Sequence, residues 1–197
     1  MKLFSVLRPL LEAAAAVGVV LMGLRLLTGL FGRKSRVYRV GAARHFRLLF
    51  WPLLCLAVGL PFMASFVYAA SLSAYELLLL LALAAIILGF SVPAFLLHGQ
   101  YYLRNQSTRV VFDPRHNVLE VYENDQRIPF EKRDLAEARF VTCTSDRLFW
   151  SSYNYLQLQL HSGQVIVLTS LLLPLEPVAD FLRNAPLQRR QRWFCWV

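Results

Sequence analysis

LLFWPLLCLAVGLPFMASFVYAASLSAYELLLLLALAAIILGFSVPAFLLH, residues 48–98, contains a single carboxylate, Glu76, and no Lys or Arg. Leu48 to Tyr75 is a run of 28 residues without a formal charge, and Leu77 to Leu97 is another of 21. As a helix, each run is long enough to cross a hydrocarbon layer of about 30 Å. Ala70 to Ala74 is short and weakly polar, so the two helices are expected to form an antiparallel hairpin. Trp51, Tyr68, Tyr75, Tyr101 and Tyr102 fall near the expected ends, where amphipathic rings favour the headgroup layer. Pro52, Pro61 and Pro93 lie inside the runs, a placement that membrane helices tolerate when neighbours satisfy the freed backbone groups.

The flanks orient the hairpin. Residues 32–47 carry Arg33, Lys34, Arg36, Arg39, Arg44 and Arg47 without an acid, whereas 70–76 carry no base. By the positive-inside rule, 32–47 and the chain after residue 103 are expected in the cytoplasm, and the 70–75 turn outside. Residues 9–31 are interrupted by Glu12 and Arg25. A helix lying flat on the surface needs a polar face, but Arg8, Glu12 and Arg25 do not share one, which favours a third span with the N-terminus outside. Arg25 would then snorkel toward the basic side, and Glu12 would pair with Arg8 one turn away. No cleavable signal peptide is expected, because no convincing small-residue cleavage site follows.

Composition agrees with a membrane setting: 57% of the 197 residues are hydrophobic and only 17% are charged. The net charge of +9 sits beside apolar runs, which points to anionic lipid rather than nucleic acid. Of the 21 basic residues only Lys2, Lys34 and Lys132 are not arginine. Cys55, Cys143 and Cys195 are an odd number without close spacing, so neither a disulfide framework nor a zinc site is indicated.

Past residue 106 the hydrophobic period becomes 2. Arg109–Phe112 and Val118–Tyr122 flank the turn formers Asp113–Asn117 and read as a hairpin. Arg127–Phe130 contains Pro129, which cannot donate to a ladder, so it is an edge strand or a bulge. Ala136–Cys143 is a further strand, and Leu148–Trp150 is a candidate one. Tyr153–Leu160 and Gln164–Thr169 alternate most regularly, with Leu156, Leu158 and Leu160 on one face, Gln157 and Gln159 on the other, and His161-Ser162-Gly163 as the turn. After Pro174, Leu175, Val178, Ala179 and Leu182 share one side of a helix expected to close the sheet.

Arg127-Ile-Pro-Phe-Glu-Lys-Arg-Asp-Leu135, Leu156-Gln-Leu-Gln-Leu160 and Gly163-Gln-Val-Ile-Val-Leu-Thr169 resemble the bacterial membrane-anchored PH-like (pleckstrin-homology-like) domain proteins, in which a helical hairpin precedes the domain. The likeness covers about residues 45–185. It implies a PH-like β-barrel capped by an α-helix and a multi-pass protein of the bacterial inner membrane with a cytoplasmic C-terminal domain. Residues 1–31 lie outside it. Inositide-binding members of the wider PH family cluster Lys and Arg in the first hairpin loop. Here that loop is expected at 113–117, with only Arg115 and His116 beside Asp113, so inositide recognition does not carry over.

The expected organisation is an N-terminal apolar helix (1–31), a basic linker (32–47), the hairpin (48–98), a β domain with its helix (99–186) and a basic-aromatic tail (187–197). No catalytic, cofactor or metal constellation is legible. His45, His98, His116 and His161 are scattered, the glycines form no phosphate loop, and no serine sits in a nucleophile elbow. The candidate interface residues are those facing lipid headgroups: Arg33, Lys34, Arg36, Arg39, Arg44, Arg47, Arg189, Arg190, Arg192, Trp193 and Trp196. The expected function is a non-enzymatic binding or scaffold module, without cofactor. It would present its domain to lipid, to an unidentified protein or to a second copy of itself, and nucleic acid is not expected. The alternative is a membrane effector whose barrel senses a small ligand such as a cyclic nucleotide and then oligomerises. A polar, Arg-containing cavity would favour the effector, and a barrel filled with Leu and Val would favour the scaffold.

Overall fold

The structure, a computed structural model, describes residues 2–30, 36–67, 73–145, 147–183 and 185–197. The chain divides into two compact units, Met1–Gly32 with Leu49–Phe95, and Arg33–Leu48 with Leu96–Val197.

The first unit is helical. It contains α1 (Lys2–Leu30), most of α2 (Ala42–Val67) and the greater part of α3 (Ala74–Asn105). Ala42–Pro61 and Ala74–Asn105 are long and apolar enough to cross a membrane by length and composition, and the apolar window of α1, Ala15–Leu27, is shorter. Ser73 and Glu76 start α3 with a capping box. The Ser73 N–H donates to Glu76 Oε2 at 2.7 Å, and the Glu76 N–H reaches back to Ser73 Oγ at 3.4 Å. Gly59 faces Ile87 so closely that an added Cβ would overlap the isoleucine, which explains the small residue there. Arg25 lies over the rings of Phe50 and Trp51, 4.6 and 5.2 Å from their centroids.

The second unit is built from two four-stranded sheets. One has the order β1 (Val37–Tyr38), β2 (Thr108–Asp113), β3 (Val118–Glu123), β4 (Gln126–Ile128), all antiparallel. The other has the order β7 (Val165–Thr169), β6 (Tyr155–Leu160), β5 (Leu135–Cys143), β8 (Leu187–Arg192), with β8 parallel to β5. Leu156, Leu158 and Leu160 point inward as expected, Gln159 is exposed, and Gly163 turns the β6–β7 hairpin at φ 85°. The short α4 (Glu176–Phe181) seals the interior with Val178, Ala179 and the following Leu182.

Several boundaries differ from the sequence reading. The supposed linker 32–47 contains β1 and the first turn of α2, because Val37 and Tyr38 pair with Val111 and Val110 across the whole hairpin. The hairpin is therefore an insertion between the first and second strands rather than a segment preceding the domain. Its second helix continues to Asn105 instead of ending at residue 98. The tail 187–197 is part of the domain, since Leu187–Arg192 forms ladder bonds with Ala138–Cys143. Leu148–Trp150 is a turn, in which Trp150 is committed to side-chain packing. The strands also do not close into one ladder among the described residues. After β4, Pro129 supplies no donor, and a 3-10 turn, Lys132–Asp134, carries the chain to the second sheet.

Candidate functional site

The outward face of the second sheet carries its own apolar core, where a single-core domain would be polar. Leu48 of α2 and Leu97 and Tyr101 of α3 pack with Val141, Cys143 and Tyr155 of the sheet, with Trp150, Tyr153 and Leu171 from loops, and with Cys195. Both roots of the hairpin and the C-terminal segment thus meet on one sheet face. Polar contacts fasten them. Asn105, 1% exposed, donates from Nδ2 to the Val167 carbonyl at 2.9 Å and accepts from the Thr169 N–H at 3.0 Å, completing the open edge of β7. Arg44 Nη1 donates to the Ser170 carbonyl at 3.0 Å, and the Tyr101 hydroxyl to the Cys195 carbonyl at 2.8 Å.

A chain of three side chains joins the roots. His45 Nδ1 lies 2.7 Å from His98 Nε2, and His98 Nδ1 lies 3.0 Å from the Tyr153 hydroxyl. One proton on each histidine satisfies the chain. The sequence reading treated these histidines as unrelated, yet residues 45 and 98 each fall within one turn of the same end of an antiparallel hairpin, and that symmetry was the available signal. Burial raises the Tyr153 phenol above its ordinary pKa, so it stays protonated. Burial, followed by the neighbouring Cys143, pushes the Cys195 thiol up to about 11.

The expected interface residues do not converge on one patch. Arg33 and Lys34 lie outside the described residues. Arg36 pairs with Asp113 at 3.1 Å, Arg39 approaches Asp125 at 3.9 Å, and Arg47 is exposed on α2. Arg189 lies between Glu176 and Asp180, 3.4 and 3.3 Å away. Arg190 donates to Gln188 at 3.1 Å. Arg192, Trp193 and Trp196 are exposed, the tryptophans by 65% and 50%.

A separate groove of about 480 Å³ opens between β3, the segment after β4 and α4, with Leu119, Phe130 and Phe181 among its apolar lining. Its cations are already engaged. Arg127 pairs with Glu120 and Arg133 with Glu131, each at 2.8 Å, while the Lys132 ammonium stands over Phe181 and donates to Asn117. Such a groove suits an amphipathic segment better than a bare phosphate.

Two sheets of strands β1–β4 and β5–β7, followed by a helix against the open interior, define a PH-like domain. The chain belongs to this family: a family model described as a PH domain matches residues 37–181, which begin at β1 and run through α4. Neither the curated proteins nor the solved structures give a match. In this chain the connection between β1 and β2 is the α2–α3 insertion, and the 113–117 turn, between β2 and β3, is the second connection of the sheet. There Asp113 caps the 3-10 turn Pro114–His116 and binds His116 at 2.8 Å.

Proposed function

We propose that the protein is a membrane-anchored PH module, a binding or scaffold protein whose domain is held at the bilayer by the helical hairpin inserted between its first two strands. The observation that carries this reading is the exposure of α3. Leu78, Leu79 and Leu81 are each more than 60% exposed, and only 17% of each apolar window is buried. Contiguous apolar surface of this size is unfavourable in water and favourable in hydrocarbon. The excess of base in 32–47 puts the domain on the cytoplasmic side in this reading. The groove beside Phe130 and Phe181 is the surface offered to a protein partner.

The effector alternative needs a polar chamber. The interior is instead filled by Phe112, Phe140, Leu156, Leu158, Leu168 and their neighbours. That favours a partner-binding surface over an internal small-ligand site.

The test has two arms. The chain should stay with membranes through an alkaline carbonate wash and leave only with detergent. A photo-crosslinking residue replacing Arg133 in the groove should give a protein adduct that the same probe at Ser162 does not. Release by carbonate contradicts the anchoring, and identical adducts at both positions contradict the groove.

A further inference from the structure

The C-terminal segment is a strap with alternating faces. Cys195 is fully buried, and its carbonyl accepts from Tyr101. The Trp193 carbonyl accepts from Trp150 Nε1 at 3.0 Å. The side-chain amide of Gln100 holds both the N–H and the carbonyl of Val197. With its backbone fixed in this way, the strap leaves Trp193 65% and Trp196 50% exposed, the first with its ring edge-on to Trp150 and the second stacked on Phe194.

Its position along α3 gives these rings a partner. Gln100 lies three residues beyond Leu97, the last apolar residue before the polar His98, which is about 4.5 Å along a helix. The headgroup layer is on the order of 5–7 Å deep on each side of the hydrocarbon. A strap pinned to Gln100 and Tyr101 therefore lies at headgroup depth when α3 spans the bilayer. Charge agrees. Residues 187–197 contain three Arg and no acid, and Arg192 leads directly into the strap. A groove of about 570 Å³ beside Val197 is lined by Leu103, Arg104, Val165 and Val167 among others, with no Asp or Glu side chain. Leu103 is 69% exposed there.

We infer that Trp193, Trp196, Leu103, Arg104 and Arg192 form a docking surface for the anionic phospholipid headgroups of the leaflet from which α3 emerges. This rests on the spanning reading of the hairpin and adds to it: docking fixes the orientation of the domain, whereas the helices alone fix only its attachment. Arg189, held by Glu176 and Asp180, is not part of the surface.

The experiment uses a W150F background, in which the remaining tryptophans are Trp51, Trp193 and Trp196, and compares this chain with its W193F/W196F variant in vesicles containing lipids brominated near the headgroup, with and without phosphatidylglycerol. Emission lost from the variant reports Trp51 in α2 and therefore whether the hairpin is embedded. The difference between the two proteins reports Trp193 and Trp196. Expected are quenching of Trp51 in every vesicle, and loss of most of the difference emission only with phosphatidylglycerol, reversed by salt and by R104Q/R192Q. An unreactive Cys195 in each variant verifies that the strap is still packed. Quenched Trp51 with unquenched difference emission overturns the docking and leaves the strap as a protein-binding surface. Quenching indifferent to charge overturns the choice of anionic headgroups. Unquenched Trp51 overturns the spanning reading and the inference together.

Discussion

The side-chain amide of Asn105 acts as a strand partner for Thr169: its Oδ1 accepts the Thr169 N–H while its Nδ2 donates to the Val167 carbonyl two residues away. A helix end is thereby stitched to a sheet edge by one side chain. Because α3 reaches Asn105 without a break, the last turn of the hairpin's second helix and the second sheet of the domain are one hydrogen-bonded piece.

Asn105→Ala should therefore destabilise the domain beyond the loss of a surface side chain. It leaves the buried Thr169 N–H and the part-buried Val167 carbonyl without this partner, at about 1–3 kcal/mol for the buried group. A urea or thermal melt of the detergent-solubilised protein measures this, and a midpoint equal to that of the parent would show that the edge of β7 does not depend on the helix.

Acid should act through Asp113. The hydrogen bond from His116, then the Arg36 guanidinium and the Arg115 N–H, hold its carboxyl below the usual carboxylate range against the effect of desolvation. A group whose folded pKa is depressed contributes stability above its unfolded value, about 3.9 for Asp, and loses it as pH falls through the folded value. Asp113→Asn keeps a capping oxygen but cannot titrate. Its stability should fall less steeply than the parent's below about pH 4, and parallel acid limbs in denaturant titrations would contradict the assignment.

Much of the domain was legible because its signal is local. Leu156-Gln-Leu-Gln-Leu160 shows its period within five residues, Gly163 supplies a turn, and Leu175, Val178, Ala179 and Leu182 share a helical face. Two features were not legible, each for its own physical reason. Strand β1 is two residues long, too short for any period, and its partner lies more than 70 residues away beyond the hairpin. Strand β8 reads Leu-Gln-Arg-Arg-Gln-Arg, with only Leu187 apolar, because it is an edge strand whose ladder bonds are made by backbone and whose charges discourage further pairing. The same charges led the sequence reading to treat 187–197 as a separate tail. The candidate interface was only partly legible, because which Arg is neutralised by a distant carboxylate, as Arg189 is by Glu176 and Asp180, depends on the fold.

The packed strap is tested by its cysteine. With its pKa near 11, the Cys195 thiol is thiolate to about one part in ten thousand at neutral pH, and it is buried as well. In a C55S/C143S background, a maleimide should modify it on the order of a hundredfold more slowly than an unhindered cysteine, with the ordinary rate restored in denaturant. Rapid modification of the native protein would mean that 193–197 leaves the sheet.

The central claim is a PH domain whose first two strands are separated by a membrane hairpin, with the domain and Ser73, at the start of α3, on opposite sides of the bilayer. Single cysteines at Ser73 and at Ser162, in a background lacking the three native ones, test it most directly with a membrane-impermeant thiol reagent on intact cells. The cysteine at position 73 should be labelled at once, and the one at 162 only after permeabilisation. Labelling of both positions in intact cells, or of 162 alone, would contradict the claim.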